Sequence, residues 1–66
     1  MTLGERIGNL RRDAGYSQEY VAESLGVSRQ AVSKWENGSS EPSTTNLIAI
    51  GKLYEIPPEE LLKKLV

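Results

Sequence analysis

Arg29 and Gln30 stand side by side in this 66-residue chain, and both are residue types that can form paired hydrogen bonds with flat partners. A guanidinium can offer two parallel N–H donors to guanine O6 and N7, and a carboxamide can donate and accept at adenine N6 and N7. Each bidentate contact of this kind discriminates by roughly 1–3 kcal/mol. Bond-making chemistry has far less to draw on. The chain has no histidine and no cysteine, which removes the commonest general base, the usual nucleophile pairings and the commonest metal ligands. Glu59 and Glu60 are adjacent carboxylates, but neighbours on a helix do not face each other, and both suit a helix N-terminus. We therefore expect no enzyme, no metal site and no cofactor.

The elements that must position Arg29 and Gln30 lie in Ser17 to Gly38, SQEYVAESLGVSRQAVSKWENG. Ser17 can cap a helix that Gln18 to Leu25 continue for two turns. Gly26 supplies the permissive backbone of a sharp reversal, Val27 can plug the corner, and Ser28 can cap a second helix, Arg29 to Glu36. Asn37 and Gly38 end it with residues that tolerate a left-handed backbone. This is the sequence logic of a helix-turn-helix.

Helical segments account for nearly all of the rest. Thr2 with Glu5 three residues on makes a capping-box pattern, and Leu3, Ile7, Leu10 and Ala14 recur as one apolar stripe that Gly15 stops. Ser39-Ser40-Glu41-Pro42 is a polar loop, after which Ser43 can cap a fourth helix with Leu47, Ile50, Leu53 and Tyr54 inward. Pro57-Pro58, Glu59-Glu60 and Lys63-Lys64 frame a short fifth helix over 58–65, with Leu61, Leu62 and Leu65 apolar. The reading is all-α, without strand-like alternation, repeats or an internal linker.

Size and charge set the limits. A chain this short makes one small domain with a modest core. Without an apolar run near the roughly 20 residues of a bilayer span, and without a secretory N-terminus, it reads as soluble and intracellular. A net charge of −1 is unusual for a nucleic-acid binder, so local distribution matters more than the total. Arg11, Arg12, Arg29 and Lys34 fall in the first three helices, while Glu55, Glu59 and Glu60 lie near the other end.

With these residues in view, the chain strongly resembles the phage-repressor and Cro-like (XRE-type) helix-turn-helix family of bacterial and phage transcription regulators. The resemblance rests on Leu10-Arg11 with Gly15, on the Ser17–Gly38 segment, on Glu41-Pro42-Ser43 and on Glu60-Leu61-Leu62. It implies a compact five-helix repressor-like DNA-binding domain over 1–66, with the helix-turn-helix at helices 2 and 3, about residues 17–37. Arg29, Gln30, Ser33 and Lys34 match the positions that face bases in the major groove. Gln18, Ser28, Asn37, Gly38, Ser39 and Ser40 match those that meet the DNA backbone, Gln18 also bracing the recognition helix and the last four acting through loop amides and small polar groups. Arg11 and Glu36 match a structural ion pair that ties the first helix to the third. Trp35 fits the core.

The sequence departs from the family pattern at several points. Ser-Ser-Glu follows Gly38 where relatives often carry a lysine, and Glu41 would repel phosphate if it faced DNA. Glu55 replaces a common glycine, Gly51 a usual alanine, and Tyr20 a usual polar residue. The expected function is sequence-specific binding of double-stranded DNA for transcriptional regulation, by a bacterial or phage-encoded protein that is cytoplasmic and associated with the nucleoid. A homodimer on a near-palindromic operator is implied, held through helix 5 (Leu61, Leu62, Leu65, Val66) or through a C-terminal region not in this sequence. The alternative is a protein-interaction module that kept the fold and lost strong DNA binding, which the acidic balance and the Ser-Ser-Glu loop would suit.

Overall fold

Four of the five helices start on a hydroxyl side chain that takes the place of a missing turn. In the computed structural model, which describes residues 1–63 (with Pro58, Leu62 and Lys63 as backbone only), Thr2 and Glu5 form a reciprocal capping box. The Glu5 amide donates to Thr2 Oγ1 at 3.1 Å, and the Thr2 amide donates to Glu5 Oε1 at 2.8 Å. That hydrogen bonding also holds the Glu5 carboxyl below its ordinary pKa. Ser17, Ser28 and Ser43 each accept from the amide three residues on, at 3.0, 3.1 and 3.2 Å. Such a cap stabilises a helix by about 1 kcal/mol. The helices are α1 (Leu3–Ala14), α2 (Gln18–Leu25), α3 (Arg29–Asn37), α4 (Thr44–Tyr54) and α5 (Pro58–Lys63).

α1 packs on α3, α3 on α2, and α4 contacts both α2 and α5. Ile7, Val21, Ala22, Val32, Trp35, Ile50 and Leu61 form the buried core, so every helix contributes to it. Leu3, Leu10, Leu47, Leu53, Tyr54, Ile56 and the turn residue Val27 pack against it half-buried. Full burial of an aliphatic side chain contributes roughly 1.5–3 kcal/mol, which makes this short set the main source of stability.

One close approach sets how α1 meets α3. A β-carbon on Gly4 would collide with the Trp35 carbonyl oxygen and stand 3.0 Å from that of Glu36. Glycine at this position lets α1 rest on the end of α3.

Two expectations change. Ala14 is exposed, together with Arg12, Asp13 and Gly15, because the last turn of α1 runs past the core that Leu3, Ile7 and Leu10 line. α3 continues one residue further than expected, to Asn37, before Gly38 turns left-handed at φ 83°. Glu55, standing where relatives often carry glycine, adopts the left-handed conformation itself, at φ 57°. The final part of helix 5, with Lys64, Leu65 and Val66, lies outside the described residues, as do the side chains of Leu62 and Lys63. Among the described residues no helix is long and apolar enough to cross a membrane.

Candidate nucleic-acid interface

The site is built on the reversal between α2 and α3. Gly26 ends α2 in a left-handed conformation, φ 72°, and its amide returns to the Ala22 and Glu23 carbonyls. Ser28 then starts α3, so Arg29 and Gln30 occupy the first turn of that helix, and both are exposed. Lys34 is exposed one turn later and Ser33 is half-buried. Residues 29, 30 and 33 share one side of the helix by the i, i+3, i+4 rule, opposite the buried Val32 and Trp35. The apolar face of α3 is sunk in the core and its polar face is left to solvent.

A chain of hydrogen bonds runs from the interior to this face. Arg11 donates Nε to Glu36 Oε2 at 2.7 Å and Nη2 to Glu36 Oε1 at 3.1 Å, with side-chain exposures of 15% and 9%. Its third nitrogen, Nη1, donates to the Tyr16 carbonyl at 2.9 Å, tying the α1–α2 connection to the same pair. The bond to Glu36 holds the Arg11 guanidinium above its ordinary pKa. Gln18 Nε2 donates to the same Glu36 Oε1 at 3.1 Å, and Gln18 Oε1 accepts from Arg29 Nη1 at 3.3 Å. The order of these contacts has a chemical reason. An ionised carboxylate only accepts, so Gln18 must turn its amide nitrogen to Glu36, which leaves its oxygen for a donor at position 29. Arg29 is thus braced by α2 while remaining about half exposed.

Gln18 was expected to brace α3, and its bond to Glu36 joins the two helices across 18 residues. Sequence reasoning missed Glu19, whose Oε2 lies 4.0 Å from Arg29 Nε across the turn. The two residues share no helix face, so no spacing rule flags them.

The loop after α3 folds back on the end of that helix. The Gly38 amide returns to Trp35 O at 3.3 Å, and the amides of Ser39 and Ser40 return to Lys34 O at 2.9 and 3.3 Å. Ser39 N–H is also held by Asn37 Oδ1 at 2.9 Å. These amides close the C-terminus of α3. What the loop exposes is the Ser39 and Ser40 side chains. Tyr20 is an exposed aromatic whose ring centroid lies 4.6 Å from that of Tyr16. Among the described residues no group of three or more acidic side chains gathers into a potential metal site.

Comparison with known proteins accords with this geometry. A family model described as "Helix-turn-helix" matches residues 7–61. The transcriptional regulator DicA of Escherichia coli K12 is 39% identical over 62 residues, covering 94% of this chain and 46% of DicA. A crystal structure of the c2 repressor of Salmonella phage P22 with a synthetic operator is similar at a TM-score of 0.88 and 36% identity, covering 96% of each chain. A structure of the biofilm regulator SinR with DNA gives a TM-score of 0.83 at 29% identity, covering 92% of this chain and 98% of that one. The chain belongs to the helix-turn-helix family of transcription regulators. Its relatives there include phage repressors, and they are named as regulators, not as enzymes. The chain spans half or less of the length of the first curated relatives it matches.

Proposed function

We propose that this chain binds double-stranded DNA in a sequence-specific manner and regulates transcription. α3 would lie in the major groove, with Arg29 and Gln30 on base edges and Ser33 and Lys34 beside them. Gln18, Ser28, Asn37, Ser39 and Ser40 would meet the phosphate backbone through side chains, with Gly38 at the same loop. The observation that carries the reading is the braced Arg29. An exposed guanidinium at the start of a capped helix is held through Gln18 by the half-buried Glu36, itself paired with Arg11. Preorganisation of that kind serves directional contacts, because less rotamer freedom remains to be lost on binding. Two copies would set their α3 helices about 34 Å apart on a near-palindromic operator, paired through α5 or through sequence C-terminal to it. P22 c2 repressor and SinR, both solved with DNA, support the choice of partner.

The test is the salt dependence of binding to duplex DNA. A phosphate-contacting protein releases counterions, so log affinity should fall linearly with log salt concentration. Affinity for a duplex that does not change with salt, or no binding at low salt, contradicts the reading.

A further inference from the structure

Glu19 has no part in the reading so far, yet its carboxylate is the anionic group found beside the leading candidate base reader. Glu19 Oε2 lies 4.0 Å from Arg29 Nε, and the two side chains are 73% and 52% exposed. Gln18 Oε1 takes Arg29 Nη1 from the neighbouring position on α2. The two contacts engage Nε and Nη1. Resting on the DNA-reading function above, we propose that Glu19 is a specificity-determining residue that lowers the attraction of Arg29 for phosphate without blocking its contact with a base edge.

The physical basis is the difference between the two classes of acceptor. Attraction to phosphate is charge–charge and reaches the whole length of any duplex, so it supplies most non-specific affinity. A carboxylate beside the arginine cancels much of that field and itself repels phosphate. A guanine edge is neutral, and its O6 and N7 reward the placement of two N–H groups more than net charge. Glu19 therefore costs more at the wrong sites than at the right one, and specificity is a difference of affinities. The pair is exposed and screened, which bounds the effect at about two- to fivefold.

The experiment compares wild type, Glu19→Gln and Asp13→Asn. Each is titrated against the duplex that wild type recovers from a randomised pool and against a scrambled duplex of equal length, at one salt concentration. Asp13 is exposed in the last turn of α1, so its variant makes the same charge change outside α2, α3 and α5. Glu19→Gln should raise affinity for the scrambled duplex about two- to fivefold and raise affinity for the recovered duplex less. The ratio of the two affinities then falls, while Asp13→Asn leaves it unchanged. In an Arg29→Ala background the effect of Glu19→Gln on the ratio should vanish. An unchanged ratio in Glu19→Gln, or an equal change in Asp13→Asn, overturns the role given to Glu19 and leaves the DNA-reading function standing. A change of preferred base at one position of the recovered site would make Glu19 a direct base reader and also overturns it. Failure of wild type to recover any site overturns the DNA-reading function and this inference together.

Discussion

Arg11 and Glu36, 25 residues apart in sequence, meet through two hydrogen bonds on a nearly buried carboxylate. The pair joins α1 to α3, and its geometry makes removal of one partner far worse than removal of both. Arg11→Met strands Glu36 with Gln18 as its remaining recorded donor, and should cost about 3–5 kcal/mol in urea denaturation. Replacing both, as Arg11→Met with Glu36→Leu, should recover much of that loss. A double variant as unstable as the single one would contradict a desolvation account.

Tyr54 gives a pH-dependent prediction. Its ring packs on Tyr16 with centroids 6.1 Å apart, and its hydroxyl is buried without a hydrogen-bond partner among the described residues. Burial pushes the phenol from its ordinary 10.0 up to about 12. The unfolded chain loses this proton first, so the contribution is intact below pH 10 and is lost as pH rises towards 12. Wild type should lose stability across that window relative to Tyr54→Phe. At neutral pH the variant should be as stable as wild type or up to about 1 kcal/mol more stable, because no hydrogen bond is broken.

Glu55 closes α4 in a conformation that costs a non-glycine residue roughly 1–2 kcal/mol. Glycine there loses some of the gain to its larger unfolded-state freedom. Glu55→Gly should raise stability by about 0.5–1 kcal/mol, read as a higher melting temperature. DNA binding should be untouched.

Gly4 makes the opposite prediction. Alanine favours a helix over glycine by about 1 kcal/mol, yet a methyl group here meets the Trp35 and Glu36 carbonyls. Gly4→Ala should therefore destabilise, by about 1–3 kcal/mol, through the shift it forces between α1 and α3. An increase in melting temperature would mean that the two helices have room to separate.

The fold was legible because its signals are local. Thr2, Ser17, Ser28 and Ser43 mark four helix starts, and Gly15, Gly26 and Gly38 mark three stops, each within a few residues of the structure it controls. Ala14 misled because periodicity reports which way a side chain points and not how far the core extends. The Gln18–Glu36 and Glu19–Arg29 contacts cross a turn between helices, where spacing carries no information about distance. The loop after α3 was read for its residue types, but the destination of its amides depends on how Gly38 redirects the chain over Lys34 O.

Selection from a randomised DNA pool, run in parallel with wild type and the Arg29→Ala, Gln30→Ala double variant, tests whether α3 reads bases through Arg29 and Gln30. Wild type should recover a two-fold symmetric motif that the variant loses, with both chains equally helical. The same motif recovered by both would contradict that reading of α3.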